Sequence, residues 1–211
     1  MDWQLIDAQS LAIIDQEISA SPLSPAKHEI VRRVVYATAD FDYGRLLQFS
    51  ERVLAIGAAA LASRTPVVVD VPMVQIGIGP RLQQTFANPV YCSTQAITRP
   101  QKGRSPAAWG LQALAQRYPE GIFVVGNSLA ALEVIAAMVA QEKVHPSLVI
   151  ATPAVFVHSN GAKEKLKQAK IPLITVAGRK GNEVVAVAIL NGLVDLAWRA
   201  YEQKAYAQGG G

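Results

Sequence analysis

The clearest pattern of apolar and polar residues in the chain lies between residues 121 and 141. Residues 122–125 form an apolar run that is β-branched and aromatic, as in a strand buried on both faces of a sheet. A Gly-Asn pair ends the run, Ser128 can cap a helix, and apolar residues recur at helical spacing as far as Val139. The stretch predicts a strand, a tight turn and a helix, the first half of a βαβ unit.

The same unit recurs along the chain. Its fold class is predicted to be α/β: a doubly wound, mainly parallel five-stranded sheet with helices on both faces and a helical N-terminal segment. The predicted strands are 67–69, 90–93, 122–125, 148–150 and 173–176. The predicted helices are 10–18, capped by Ser10, then about 25–39, 43–63, 105–118, 129–139, 159–170 and 183–203, with a connecting turn or short helix at 71–78.

The length of 211 residues fits one domain, predicted at 1–206, followed by a flexible tail at 207–211. No stretch is long enough and polar enough to act as a linker between two domains. The final helix is apolar nearly all round at its start, so it is predicted to be deeply packed or at an interface.

Composition narrows the cellular setting. Half of the residues are hydrophobic (51%), which is enough for a large core, yet no apolar run reaches the roughly 18 residues that span a bilayer. The first ten residues carry two acids and no basic cluster, unlike a secretory signal. Cys92 is the one cysteine, so an internal disulfide is excluded. We predict a cytoplasmic protein with no membrane partner.

The formal charge of +4 allows two interpretations, a basic surface that is simply solvated or an acidic ligand. The basic residues are scattered, and aromatic residues make up only 7% of the chain, so nucleic acid is not an expected partner. Familiar motifs are missing too. The glycines at 77–79 lack a third glycine, residues 178–181 lack a phosphate-loop ending, and the three histidines have no metal-ligand spacing. No cofactor or metal is predicted.

Polar residues follow several of the predicted strands, where open α/β sheets bind their ligands. They are Asp70, Ser93, Asn127, Thr152 and the pair Arg179 and Lys180. Arg104 and Ser105 add a cation at a helix start, a seat suited to a carboxylate. Each residue alone is typical of a cap or turn, but together they predict a site along one sheet edge without naming its chemistry.

Several short segments, in this order and at these intervals, resemble one family. They include residues 10–14, 38–41, 70–74 with 77–78, 103–105, 126–127 with 131–132, 153 with 156–157 and Lys163, 178–181, and 190–191. Across nearly its whole length the chain resembles the precorrin-8X methylmutase (precorrin isomerase) family of cobalamin biosynthesis.

The resemblance implies an isomerase, usually a homodimer, that moves one methyl group between neighbouring carbons of ring C of a corrin precursor without a redox cofactor. That substrate carries many carboxylates, so Arg104, Arg179 and Lys180 are predicted to bind them, with Ser105 beside Arg104 at the same helix start. By the same resemblance the predicted groups that position the substrate are Ser10, Asp70, Asn127 and Thr152.

One residue departs from the family pattern. The family normally has a histidine as its proton donor just before the 38–41 segment, and this chain has Tyr36 there. A phenol titrates near 10 and an imidazole near 6.5, so the two differ as acids. Two hypotheses follow: a methylmutase that uses Tyr36 as donor or substrate contact, or a non-catalytic paralogue that binds a tetrapyrrole or other polycarboxylate. The first predicts that Tyr36 points into a cleft shared with Arg104 and Asn127.

A second departure lies where the family has small residues and glycine. This chain has Val155 in place of the first glycine, with His158 and Ser159 close behind. A valine there is expected to narrow the floor of the pocket, because it adds side-chain volume where the family has none.

Overall fold

The structure is a computed structural model that describes residues 3–18, 23–99, 102–156 and 161–209. His158 and Ser159 lie outside these residues. The helices are α1 (Trp3–Ile18), α2 (Pro25–Thr38), α3 (Tyr43–Leu46), α4 (Val53–Ala62), α5 (Pro72–Gln83), α6 (Pro106–Arg117), α7 (Leu129–Ala140), α8 (Ala162–Gln168) and α9 (Glu183–Gly209). The strands are β1 (Leu47–Phe49), β2 (Val67–Val69), β3 (Val90–Cys92), β4 (Ile122–Val125), β5 (Leu148–Ala151) and β6 (Leu173–Val176).

The strands form one sheet in the order β1-β6-β5-β4-β2-β3. Strands β2 to β6 are parallel, and β1 pairs antiparallel with β6 at the edge. The prediction of a mainly parallel sheet is confirmed, but the described residues form six strands instead of the predicted five. The additional strand comes from residues 47–49, which the sequence placed inside a helix spanning 43–63.

The direction in which strands are added reverses between β2 and β4. From β2 the chain passes through α5 to β3, then returns through α6 to β4 and continues outward through α7, β5, α8 and β6. Because parallel crossovers are right-handed, the two directions place their helices on opposite faces. Helices α6, α7 and α8 cover one face, while α4, α5 and α9 cover the other. The sheet is therefore doubly wound, and its switch point lies between β2 and β4.

Two apolar layers sandwich the sheet. Val67, Val69 and Ile122 belong to the layer beneath α4, α5 and α9, and this layer continues outward to α2 and α1. Val68 and Phe123 point the other way, into the layer formed with α6, α7 and α8. All residues of β2, β4, β5 and β6 are buried, as expected for parallel strands covered on both faces.

Helix α9 is deeply packed, which is one of the two alternatives predicted from its apolar start. It contacts α2, α4 and α5, and Val185, Ile189 and Val194 are fully buried. Within the described part of the chain, residues 183–203 are the one stretch whose length and composition would suit a membrane span. Of that apolar window 44% is buried inside the fold, and the core helix of a globular domain would pass the same test of length and composition.

Several predicted boundaries differ from the structure. Helix α1 begins at Trp3, so Ser10 lies in the middle of a helix and is not its cap. Residues 71–78 belong to α5, a full helix of 12 residues. Helix α9 continues to Gly209, through residues that the sequence placed in a tail. The predicted caps of α6 and α7 are confirmed: Ser105 accepts from the N–H of Ala108 at 3.3 Å, and Ser128 accepts from Ala131 at 3.1 Å.

Candidate active site

Asp70 lies at the switch point, at the carboxyl end of β2 and beside the end of β4. Its fully buried carboxylate accepts hydrogen bonds from the backbone N–H groups of Gly126, Asn127 and Ser128, at 3.1, 2.8 and 2.6 Å. These N–H groups precede the first turn of α7, where a helix favours negative charge. Asp70 thus fixes the turn between β4 and α7, and it fills the anion seat that this helix start would otherwise offer.

The turn after β6 is held close to the end of β5. Thr152 donates from Oγ1 to the carbonyl oxygen of Asn182 at 2.9 Å. Gly181 has a φ of +135°, and a Cβ there would lie 2.1 Å from the carbonyl oxygen of Thr152, so no other residue fits without moving the backbone. This packing places Arg179 and Lys180 at a defined point on the sheet edge.

Arg179 and Lys180 are adjacent in sequence, but their side chains lie in different surroundings. Lys180 Nζ donates to Asp40 Oδ2 at 2.6 Å and to Asp42 Oδ2 at 2.7 Å, which joins the turn to the end of α2. The hydrogen bond to Asp40 is the largest cause that raises the pKa of Lys180, and the bond from Lys180 lowers the pKa of Asp42. Lys180 already has carboxylate partners in the chain, whereas Arg179 is exposed and lines a cavity.

Tyr36 lines a cavity of about 420 Å³ between α1, α2 and α9, which we call the tyrosine cavity. Helix α1 contributes Asp7, α2 contributes Arg32 and Tyr36, and α9 contributes Val187 and Asn191. The cavity lies beside the first turns of α9, which begin at the carboxyl edge of the sheet. It is large enough to hold part of a macrocyclic ligand rather than the whole of one.

The phenol of Tyr36 is half exposed and hydrogen-bonded. The residue is 48% exposed, and its hydroxyl donates to Asp7 Oδ1 at 2.6 Å. This hydrogen bond, together with the negative charge of Asp7, raises the pKa of Tyr36 above the ordinary 10.0. Tyr36 therefore holds its proton at neutral pH and is suited to donating a hydrogen bond more than to giving the proton away.

Ion pairs fix the arginines of the tyrosine cavity. Arg32 pairs with Glu29 and donates to Asp15 Oδ2 at 3.1 Å. Arg33 donates to Glu29 Oε1 at 2.8 Å and lies 2.6 Å from Asp195 Oδ2, which links α2 to α9. The positive charges on this wall are therefore largely balanced within the protein.

Asn191 contributes an unsatisfied hydrogen-bond acceptor to the lining of the tyrosine cavity. Its Nδ2 donates to the carbonyl oxygen of Gly77 at 3.1 Å. Its buried Oδ1 has no hydrogen-bond partner among the residues that the structure describes. A buried acceptor of this kind is normally satisfied by water or by a ligand donor.

A second cavity, of about 430 Å³, lies on the opposite face of the sheet at the same edge; we call it the lysine cavity. It is bounded by the start of α7, by α8 and by the turn after β6, and Lys163, Lys167 and Arg179 line it. Lys163 Nζ donates to the carbonyl oxygen of Val176 at 3.0 Å. Burial, followed by the charge of Lys167, lowers the pKa of Lys163 to about 8.

The remaining predicted site residues lie outside both cavities as the described residues define them. Ser105 caps α6, and the exposed Arg104 before it donates to Gln112 on that helix. Asn127 donates from Nδ2 to Glu183. Ser10 is half-buried within α1.

The structure separates Tyr36 from Arg104, two of the three residues that were predicted to share one cleft. Tyr36 lies between α1, α2 and α9 on one face of the sheet, whereas Arg104 precedes α6, which covers the other face. The strand ends do meet at one edge, but the helices that cover the two faces divide that edge into separate cavities.

Sequence reasoning assigned no role in a site to three residues of these cavities, namely Asp7, Asn191 and Lys163. Asp7 was lost because the predicted helix began only at Ser10. The spacing of Arg32 and Tyr36, four residues apart, did carry a usable signal, since both line the tyrosine cavity. Lys163 was noted as part of the family resemblance and as one of several lysines on a basic helix, and nothing in either pattern shows that it is buried.

Taken together, these features define a doubly wound α/β domain with two cavities of small-molecule size at the carboxyl edge of its sheet. Comparison with known proteins gives the family.

The chain belongs to the precorrin-8X methylmutase family, whose sequence profile matches residues 5–196. It is similar to the cobalt-precorrin-8 methylmutase of Synechocystis sp., with 35% identity over 90% of this chain and 94% of that protein. The cobalt-precorrin-8 methylmutase of Leptospira interrogans is 31% identical over 94% of this chain and 96% of its own length. The crystal structure of the precorrin-8X methylmutase of Thermus thermophilus superposes with a TM-score of 0.82 at 32% identity, over 92% of this chain and 98% of that one.

Proposed function

We propose that this protein is an isomerase of cobalamin biosynthesis that moves a methyl group between neighbouring carbons of ring C of precorrin-8X or cobalt-precorrin-8. In this reaction one carbon–carbon bond to the methyl group breaks as the other forms. Any proton taken up near ring C is returned, so product and substrate have the same composition. The protein's task is to hold the macrocycle in a reactive geometry and to supply hydrogen bonds there.

The observation that carries this proposal is the position of Tyr36 in a cavity beside the start of α9. The family resemblance implies that the proton donor stands at this point of the chain. Its ring reaches the tyrosine cavity, and its hydroxyl is oriented by Asp7 at 2.6 Å. Because the pKa of Tyr36 is raised, complete proton transfer to the substrate at neutral pH is unfavourable. We infer that Tyr36 acts as a hydrogen-bond donor to the macrocycle, exchanging its bond to Asp7 for one to the substrate.

The test is conversion of precorrin-8X and of cobalt-precorrin-8, followed by their visible spectra, with Tyr36→Phe beside the native protein. We expect conversion by the native protein and a loss of about tenfold or more in kcat for Tyr36→Phe, the size expected for one hydrogen bond made in the transition state. Tyr201→Phe is the matched control, since Tyr201 is a similarly exposed tyrosine (53%) outside the cavity.

The same experiment tests the alternative of a binding paralogue. Binding without conversion by the native protein, with turnover gained only in Tyr36→His, would replace the isomerase proposal with that alternative. Equal kcat for the native protein and Tyr36→Phe would leave the isomerase standing and remove Tyr36 from the reaction.

The proposal extends to the assembly and location of the protein. We propose a cytoplasmic homodimer, as the family resemblance implies. Three apolar side chains on α5 and α9 support a self-association surface, because Met73, Ile76 and Val184 are 57%, 73% and 42% exposed. Asp70, Thr152 and Asn127 would support the site indirectly by fixing the turns around it, and Arg104 and Arg179 would contact substrate carboxylates.

A further inference from the structure

Lys163 in the lysine cavity is a partly buried cation without an acidic partner. Its one hydrogen bond to protein in the described part of the chain goes to the carbonyl oxygen of Val176, and no carboxylate among the described residues forms an ion pair with it. The neighbouring acid, Glu164, pairs with Lys167 at 2.7 Å. An ammonium in a desolvated position normally has a counter-ion, because burial without one disfavours its charge.

The walls of the lysine cavity specify what kind of counter-ion would fit. Leu129, Leu132 and Val155 form an apolar side, while Lys163 and Arg179 provide positive charge. This combination accommodates a short alkyl chain that ends in a negative group. A free inorganic anion would leave the apolar side uncovered.

We infer that Lys163 is the seat of a carboxylate side chain of the ligand, with the alkyl part of that side chain against Leu129, Leu132 and Val155. This inference rests on the proposed function, since a corrin precursor carries short alkyl carboxylates around its ring. It assigns to the lysine cavity a role separate from that of the tyrosine cavity: one side chain of the macrocycle is anchored there.

The pKa of Lys163 reports occupation of the seat directly. An added carboxylate favours the charged ammonium, so it opposes the burial and the Lys167 charge that now lower the pKa of Lys163 to about 8. We expect NMR titration of isotope-labelled lysine side chains to show a rise of at least about one pH unit when dicyanocobyrinic acid is added. Dicyanocobinamide, in which the same side chains are amides, should cause no rise. Assignment comes from Lys163→Met, and the exposed Lys165 is the internal control.

A second measurement links the seat to turnover. For conversion of cobalt-precorrin-8, Lys163→Met should raise KM about tenfold or more with kcat nearly unchanged, the loss expected for one charge-assisted hydrogen bond that is made before and during the reaction. Lys165→Met, on the same helix but outside the cavity lining, should leave both constants unchanged. A merely structural role for Lys163 would lower the yield of folded protein without separating KM from kcat.

The outcomes separate this inference from the proposed function. If dicyanocobyrinic acid binds, as its visible spectrum would show, and the pKa of Lys163 does not rise, the seat is elsewhere and the isomerase proposal stands. An unchanged KM in Lys163→Met also overturns the seat. If the native protein converts neither precursor, the proposed function fails and the inference fails with it.

Discussion

At the scale of single residues, Lys163 shows how burial changes the charge balance of a folded protein. Its pKa in the folded protein is lowered to about 8 from 10.5, mainly by burial. Between these two pH values the unfolded chain binds the proton at this residue more tightly than the folded one. Stability therefore rises with pH in this window, and the destabilising contribution is present in full below pH 8.

This sign gives a testable prediction. Between pH 7.5 and 10 the free energy of unfolding of the native protein should rise by about 1 to 2 kcal/mol more than that of Lys163→Met. This value is smaller than the full pKa shift would give, because Lys163 is partly exposed to solvent. Urea unfolding at several pH values measures it, and Lys165→Met is the control because Lys165 is exposed on the same helix. If the native protein and Lys163→Met depend on pH in parallel, Lys163 is not desolvated as the structure indicates.

Residue types at strand ends could be predicted from the sequence, but their partners could not. Asp70 follows an apolar run, so its place at the sheet edge was predictable. Its partners were not predictable, because they depend on how β2 and β4 pair. The carboxylate accepts hydrogen bonds from three backbone N–H groups that lie 56 to 58 residues further along the chain. Tyr36 was predicted to contact substrate, and its partner Asp7 became visible only once α1 was known to begin at Trp3.

At the scale of elements, α6 packs closely against the 3₁₀ turn of residues 93–95, which follows β3. A Cβ on Gly110 would lie 1.8 Å from the carbonyl oxygen of Ser93. This is a backbone atom, so no side-chain rotation can relieve the contact, and α6 would have to move away from the end of β3.

We therefore expect Gly110→Ala to lower the free energy of unfolding by about 3 kcal/mol or more, although alanine is the better helix former. Gly44→Ala is the matched control, since among the described residues a Cβ there meets only Ile18 Cγ2, at 3.9 Å. That variant should be neutral or more stable by up to about 1 kcal/mol. Urea unfolding curves compare the two, and equal stability of both variants would contradict the close approach of α6 to Ser93.

The same scale explains the one element that the sequence assigned wrongly. Residues 43–63 contain enough leucine, valine and alanine at helical spacing to predict one long helix. In the structure Arg52 takes a left-handed φ of 54°, which interrupts any continuous helix. Residues 47–49 instead alternate from buried to exposed to half-buried, as suits an edge strand. An alternation over only three residues cannot be distinguished in the sequence from the apolar face of a helix, and the pairing with β6 is what shows that these residues form a strand.

At the scale of the whole molecule, the doubly wound architecture was predictable because its buried strands are short, β-branched and separated by helices. The division of its ligand-binding edge into two cavities was not. That division depends on which helices cover each face, and right-handed crossover fixes the faces only once the strand order is known. The sequence lists strands along the chain, whereas the order β1-β6-β5-β4-β2-β3 is a property of the folded molecule.

The proposed homodimer makes a final prediction at this scale. Met73 and Ile76 on α5 and Val184 on α9 remain exposed, while Gly77 of α5 packs against Val187 of α9. Burial of this apolar surface against a second copy would be reversed by a charge at its centre. We expect sedimentation equilibrium to show a dimer for the native protein and a folded monomer for Ile76→Glu. Ile97→Glu, at an exposed isoleucine in the loop before α6, should remain dimeric. A native monomer would refute the dimer, and dissociation by Ile97→Glu alone would move its interface to the loop before α6.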